Sequence, residues 1–173
     1  MARQLWLLRH AEAEPHGARQ DAQRRLTDRG AQQARTAGGA VARMGADFEA
    51  VLFSPKVRAR QTAELASELW PAEQQDLLTL HAPLAGGFEA AQALEAMAPL
   101  GADGRLMVVG HEPDLSKVIA QLTGARADLK KGGLAVVRLD GATGELTVLM
   151  RPRELALIAD PALLLGAVPV GGE

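Results

Sequence analysis

A short apolar run near the start of the chain decides its fold: Leu5-Trp6-Leu7-Leu8, followed directly by the polar pair Arg9-His10. Four consecutive apolar residues bounded by polar ones are typical of a strand buried on both faces, as the strands of parallel sheets are. A second run of this kind occupies residues 106–109 and ends in Gly110-His111. Together the two runs predict a central parallel sheet whose strands end in polar side chains.

Helix and strand patterns alternate along the rest of the chain. Apolar residues recur at helical spacing after Thr27, which is typical of a helix N-cap, and the Gly38-Gly39 pair in this helix indicates close packing. The predicted helices cover residues 31–44, 57–70, 89–97 and 115–122. Two further strands are predicted at residues 50–53 and 77–80, and a hairpin has its strands at 134–139 and 146–150. We therefore expect an α/β fold, a three-layer α/β/α sandwich with a mostly parallel central sheet and a C-terminal antiparallel hairpin.

Composition narrows the class of protein. The 173 residues are 47% hydrophobic and 23% charged, which suits one globular domain over residues 1–173. A net charge of −2 and only five aromatic residues, three Phe and two Trp, argue against nucleic-acid binding. Because there is no Cys, disulfides, thiolate metal ligands and a Cys nucleophile are excluded. No apolar run approaches the roughly 20 residues that span a membrane, and no secretory signal pattern is present, so we expect a cytoplasmic protein without membrane attachment.

Polar residues suited to phosphate chemistry follow three of the predicted strands. They are Arg9-His10, the segment Ser54-Pro55-Lys56-Val57-Arg58, and Gly110-His111-Glu112. Ligands of open parallel sheets bind outside the carboxyl ends of the strands, so these residues are expected at one edge of the sheet. Two imidazoles and two guanidiniums would then meet in one pocket.

These side chains favour transfer of a phosphoryl group. A guanidinium matches the oxygens of a phosphate and stays charged, and a neutral imidazole can attack phosphorus. Neighbouring guanidiniums are expected to lower the pKa of His10 and keep it neutral. We expect neither a metal nor a cofactor, because the His-Glu-x-x-His spacing is absent and two arginines would repel a dication.

Four segments resemble the histidine phosphatase superfamily, whose fold is phosphoglycerate mutase-like. Residues 7–12 resemble its Arg-His-Gly signature, with Ala11 in place of the usual Gly. Residues 26–34, 54–63 and 108–116 resemble its first-helix, second-arginine and second-histidine segments. With Lys131-Gly132 and residues 151–155, the set is most similar to the small SixA-type phosphohistidine phosphatases.

The resemblance implies a role for each matched position. His10 would be the nucleophile that becomes transiently phosphorylated, and Arg9, Arg58 and His111 would bind the phosphoryl oxygens during catalysis. The general acid stays open between Glu12 and Glu112, which each adjoin a pocket histidine, with Glu89 a third candidate. His16, His81 and Arg60 are expected to be exposed.

The expected substrate is phosphohistidine on a protein. The leaving group of phosphohistidine is imidazole, whose unperturbed pKa is about 6.5. It therefore needs less protonation by a general acid than an alkoxide leaving group does. Residues 71–104 leave little room for an inserted lid domain, and an open pocket suits a side chain offered by a protein. The resemblance suggests a histidine-containing phosphotransfer protein as partner, and we expect a monomer. A small-molecule phosphomonoesterase, a phosphoglycerate mutase-like enzyme and a non-catalytic phosphate- or phosphohistidine-binding module are the alternatives.

Overall fold

A six-stranded sheet organises the chain in the computed structural model, which describes residues 2–160. Residue 1 and residues 161–173, which the predicted domain also includes, lie outside the described residues. The strands are β1 (Gln4–Arg9), β2 (Ala50–Phe53), β3 (Leu78–Leu80), β4 (Arg105–Gly110), β5 (Leu134–Asp140) and β6 (Thr143–Met150). Their order across the sheet is β3-β2-β4-β1-β5-β6.

The sheet is parallel on one side and antiparallel on the other. Strand β4 pairs in parallel with both β1 and β2, and β3 pairs in parallel with β2. Strand β5 runs antiparallel to β1, and β6 forms a hairpin with β5. This confirms the mostly parallel sheet with a C-terminal antiparallel hairpin, although β6 begins at Thr143, three residues before the predicted start.

Helices cover both faces of the sheet. They are α1 (Asp28–Arg43), α2 (Val57–Ser67), α3 (Ala72–Gln75), α4 (Ala90–Met97), α5 (Asp114–Thr123) and α6 (Pro152–Ala159). Leu5 and Leu7 of β1 pack in a core with residues of α4 and α5, whereas Trp6 and Leu8 pack in a second core with residues of α1, α2 and α6. Because successive strand residues face opposite sides, the apolar run of β1 serves both cores and gives the predicted three layers.

Helix boundaries differ from the prediction where the helices are short. The predicted helix over residues 57–70 ends at Ser67, and helices α3 and α6 were not predicted. Helix α6 is only eight residues long, and of its residues only Leu155 is fully buried. Such a helix leaves little periodic pattern, and its stability comes from packing on α1.

Gly38 lies at a close contact between α1 and α2, which confirms the predicted close packing at the Gly38-Gly39 pair. A Cβ at Gly38 would lie 1.8 Å from the backbone oxygen of Ala66, so only glycine fits at this position. The indole of Trp70 donates a hydrogen bond of 3.0 Å to the carbonyl of Gly38 across the same contact. Within residues 2–160, no helix combines the length and the apolar character needed to cross a membrane.

Candidate active site

The ends of three parallel strands bring two imidazoles and a guanidinium together. The backbone N–H of His10 donates to the carbonyl of Gly110, so β1 and β4 end side by side. His111 follows β4, and Arg58 lies in the first turn of α2, which follows β2. The two imidazole rings are 5.2 Å apart between centroids. His10, Arg58 and His111 are 5%, 4% and 7% exposed, so all three are withdrawn from solvent.

His10 is held as one neutral tautomer. Its Nδ1 lies 2.8 Å from the carbonyl oxygen of Ala11, which can only accept, so Nδ1 carries the proton and Nε2 carries the lone pair. Nε of Arg58 donates to this Nε2 over 3.3 Å. Burial lowers the pKa of His10 to about 3, and the charges of Arg58, Arg9 and Lys131 contribute in the same direction. The predicted lowering is present, but burial is a larger cause than the guanidiniums.

Asp21 is the residue of this site that sequence reasoning missed. It lies in a short 3-10 turn at Asp21–Gln23, where its carbonyl oxygen accepts from Nη1 of Arg58 at 2.8 Å and its carboxylate is 3.3 Å from Nη2. Hydrogen bonds from Arg24 and Lys56 hold the pKa of Asp21 well below its usual range. The surrounding polar segment has no periodic pattern, so nothing in the sequence placed it beside α2.

His111 is fixed through its Nε2, which lies 2.7 Å from Oγ of the fully buried Ser54. Burial lowers the pKa of His111 to about 3, with smaller contributions from His10 and Arg58. Its Nδ1 is buried and has no hydrogen-bond partner among the described residues. Buried polar atoms are almost always paired, so an unpaired one beside a cationic site points to a ligand.

Arg9 contributes a second buried nitrogen that has no hydrogen-bond partner among the described residues. Its Nη1 donates to the carbonyl of Leu129 at 3.0 Å, while its Nε is buried without a partner among residues 2–160. Burial lowers the pKa of Arg9, and the nearby carboxylate of Glu112 acts in the opposite direction. Two unpaired buried nitrogens and the cationic side chains give a site that can bind a tetrahedral anion in front of Nε2 of His10.

The three candidate acids each bond near the start of a helix. The carboxylate of Glu12 accepts from the hydroxyl of Thr27 at 2.9 Å, and Arg29 lies 3.4 Å from it. Glu112 accepts from the backbone N–H of Ser116 at 2.9 Å and from the hydroxyl of the same residue. Glu89 is the N-cap of α4 and forms a capping box with Gln92. Glu112 alone of the three also acts electrostatically on a guanidinium of the site, that of Arg9.

The remaining sequence predictions have mixed outcomes. His16 and Arg60 are exposed as predicted, with 87% and 61% of their side chains accessible. The prediction for His81 was wrong, because its ring is partly buried and packs edge-on against Phe88 at 6.1 Å. Ala11 is accommodated without strain, because no non-glycine residue of the described chain has a positive φ.

No group of three His, Asp or Glu side chains arranged to bind a metal occurs within residues 2–160. The site instead contains cationic side chains. The hydrogen-bond donors available to an oxyanion belong to Arg9, Arg58 and His111. Its donor set therefore fits an anionic ligand.

Comparison with known proteins agrees with this geometry. The sequence profile of the histidine phosphatase superfamily (branch 1) matches residues 5–81. The chain is 32% identical over 169 residues to an uncharacterized protein of Picosynechococcus sp., which covers 94% of this chain and 99% of that protein.

Solved structures share the fold. The protein histidine phosphatase SixA complexed with tungstate is 24% identical, with a TM-score of 0.76 over 88% of this chain and 99% of that one. A structure assigned as a SixA phosphohistidine phosphatase from Nakamurella multipartitia is 27% identical, with a TM-score of 0.70 over 88% and 97%. The alpha-ribazole phosphatase from Shigella flexneri is 20% identical, with a TM-score of 0.63 over 86% and 96%. The chain is therefore a phosphatase that belongs to the histidine phosphatase superfamily (branch 1).

Proposed function

We propose that this chain removes the phosphoryl group from phosphohistidine on a protein, through a phosphorylated His10 and without a metal. The observation that carries the proposal is the state of His10, a neutral imidazole whose Nδ1 is bound to the carbonyl of Ala11 and whose Nε2 lies beside Arg58. An imidazole in this state is already a nucleophile at neutral pH.

The first half of the reaction transfers the phosphoryl group to His10. Nε2 of His10 attacks phosphorus, and the bond from phosphorus to the substrate imidazole breaks as an acid gives that imidazole a proton. The new phosphoimidazolium keeps its Nδ1 proton and donates it in a hydrogen bond to the carbonyl of Ala11. Arg9, Arg58 and His111 bind the phosphoryl oxygens and stabilise the charge that spreads over them.

Hydrolysis completes the cycle. Water attacks phosphorus, its proton goes to the carboxylate that acted as the acid, and His10 leaves as neutral imidazole with inorganic phosphate as the product. Glu112 is our choice for this carboxylate over Glu12, because its charge acts on Arg9 of the site, whereas the charge of Glu12 lies against Arg29, outside the site. Glu89 is less suited, because it caps α4.

Three observations support phosphohistidine over a phosphate ester. All three candidate acids are engaged in hydrogen bonds that begin helices, and imidazole is the leaving group that requires least protonation. Residues 71–104 form the short elements α3, β3 and α4 of the sandwich, which leave little room for a lid domain. A site without a lid suits a phosphorylated side chain offered by a protein. The likeness to the SixA structures, one of them complexed with the tetrahedral oxyanion tungstate, points in the same direction.

A substrate panel with EDTA present tests the proposal. It compares kcat/KM for a phosphohistidine peptide, 3-phosphoglycerate, alpha-ribazole phosphate and a phosphoserine peptide. We expect the phosphohistidine peptide to be preferred by at least about tenfold, equivalent to about 1.4 kcal/mol of transition-state stabilisation. Comparable turnover of a small molecule would assign the chain to the small-molecule phosphatases, and loss of activity in EDTA would require a metal.

Trapping the intermediate tests the role of His10. Labelled phosphoprotein is mixed with the enzyme and denatured at alkaline pH, at which phosphohistidine survives. We expect label on His10 in the wild type and none in His10→Asn. An unlabelled wild type that still binds phosphate would favour the non-catalytic binding module.

A further inference from the structure

A basic surface adjoins the proposed nucleophile. It surrounds a shallow cavity of about 490 Å³ at the C-terminal end of β1. Its cations are Arg9, Arg29, Lys130, Lys131, Arg151 and Arg153. The mechanism above uses only Arg9, so the other five side chains have no role in it.

Carboxylates do not neutralise the basic surface. Three of them pair with its cations: Glu12 with Arg29, Asp128 with Lys130, and Glu154 with both Arg151 and Arg153. Among residues 2–160 the six cations exceed their ion-pair partners by three, or by two if Glu112, whose charge acts on Arg9, is counted. The whole chain, by contrast, has 19 basic and 21 acidic residues. Lys131 has no carboxylate within 4.0 Å among residues 2–160.

The basic surface is continuous with His10. The backbone N–H of Gly132, next to Lys131, donates to the carbonyl of His10 at 3.0 Å. Helices α1 and α6 both begin beside this surface, since Arg29 and Pro152 line the cavity. The N-terminus of a helix carries a partial positive charge, so the two helices reinforce the field of the side chains.

We propose that the basic surface binds acidic side chains that flank the phosphohistidine of the substrate protein, an inference that rests on the proposed function. Such a surface holds the partner while its phosphohistidine reaches His10, and it raises the rate of encounter with acidic partners. It also selects among phosphohistidine proteins by the charge around the modified residue.

The surface suits an acidic protein better than other anions. Apart from Arg9, its cations are solvent-exposed, with 54% of the Lys130 side chain and 76% of the Arg29 and Arg153 side chains accessible, so they do not enclose a single small phosphate. The residues lining the cavity include no aromatic side chain on which a base could stack.

Two phosphohistidine peptides of equal length test the inference. One has Asp and Glu on both sides of the phosphohistidine, and the other has Gln at the same positions. At about 20 mM salt we expect kcat/KM of the wild type to be about tenfold higher for the acidic peptide, and at about 200 mM salt we expect most of this preference to be lost.

Charge reversal locates the preference. In Lys130→Glu/Arg153→Glu we expect the two peptides to be hydrolysed equally, while turnover of phosphoramidate, a small substrate without flanking residues, stays at the wild-type level. Arg35→Glu/Arg138→Glu is the matched control, because each of these arginines also pairs with a carboxylate but lies away from the cavity. Lys130→Gln/Arg153→Gln repeats the test with a milder change and is expected to reduce the preference.

Each contrary outcome is distinct. A wild type that hydrolyses both peptides equally at low salt, or variants that keep the preference, would overturn the docking surface and leave the proposed function standing. If the variants lose phosphoramidate turnover to the same extent as peptide turnover, their substitutions disturb the active site itself, and the docking proposal is overturned. RNA and polyglutamate can also be compared as inhibitors of acidic-peptide hydrolysis. Stronger inhibition by RNA would identify a nucleic-acid surface and overturn the proposal. Failure of the wild type on both peptides would overturn the proposed function and this inference together.

Discussion

The Oγ atom of Ser54 lies 2.7 Å from Nε2 of His111, at the point where β2 and β4 end. The same oxygen accepts from the backbone N–H of Lys56 at 3.3 Å, and we assign its own proton to the bond with the imidazole. His111 then carries its proton on Nδ1, the buried nitrogen that has no partner within the described chain. We therefore expect Ser54 to set the tautomer in which His111 donates to a phosphoryl oxygen.

Ser54→Ala is expected to lower kcat/KM about tenfold, because the loss of one hydrogen bond of about 1.4 kcal/mol frees His111 to adopt the other tautomer. Nitrogen NMR of the imidazole should show the change of tautomer directly. Ser67→Ala is the matched control, since Ser67 is equally small and buried but bonds to Glu64 on its own helix. Unchanged kinetics in Ser54→Ala would contradict the assignment.

Arg58→Lys is expected to lower kcat/KM by about 10² to 10³, the usual effect of removing one preorganised donor from a developing oxyanion. Lysine keeps the charge but cannot place one nitrogen beside His10 and two beside Asp21, as the guanidinium does. Steady-state kinetics and the Kd for inorganic phosphate measure the effect. Arg60→Lys, two residues along α2 and paired with Glu64, should behave as the wild type.

Alanine at Gly38 and at Gly39 should have opposite effects on stability. A Cβ at Gly38 meets the carbonyl of Ala66 at 1.8 Å, so the two helices must separate, at a cost of about 2 to 4 kcal/mol. A Cβ at Gly39 lies 3.5 Å from Cβ of Ala159, an ordinary contact, and should add about 0.5 to 1 kcal/mol from helix propensity. Urea unfolding gives both values, and equal effects would show that α1 and α2 are not in the described contact.

Stability should fall as the pH falls below 6.5. His10 and His111 have a pKa of about 3 in the folded chain, mainly because they are buried, against about 6.5 when unfolded. Between these values the unfolded chain binds protons that the folded chain does not, so the free energy of unfolding decreases by about 1.4 kcal/mol per pH unit for each histidine.

Urea unfolding of the wild type and of His10→Gln at about pH 7, 6 and 5 measures this contribution. Between pH 7 and pH 5 we expect the free energy of unfolding to fall by about 2 kcal/mol less in the variant than in the wild type. The exposed His16→Gln is the control for removal of a histidine. Identical slopes in wild type and His10→Gln would mean that His10 titrates in the folded protein as it does in the unfolded chain.

Most of the fold could be predicted because its signals are local. The apolar run of β1, the N-cap Thr27 and the periodicity of α1 act within a few residues, and the structure confirms them. Helix α6 could not be predicted, because packing on α1 stabilises it more than its own sequence does. His81 was misplaced because its partial burial involves packing against Phe88 further along the same β3–α4 connection, a contact without a periodic pattern.

The sequence by itself determined where the chemistry lies. Buried strands that end in His10 and His111 place two imidazoles at one edge of any parallel sheet, and Arg58 follows the strand beside them. Only the tertiary structure decided the chemical state of these groups. Burial makes the histidines neutral, the carbonyl of Ala11 selects the tautomer of His10, and Asp21 reaches Arg58 across 37 residues. Desolvation and long-range hydrogen bonds depend on how the whole chain packs, so no local pattern of residues records them.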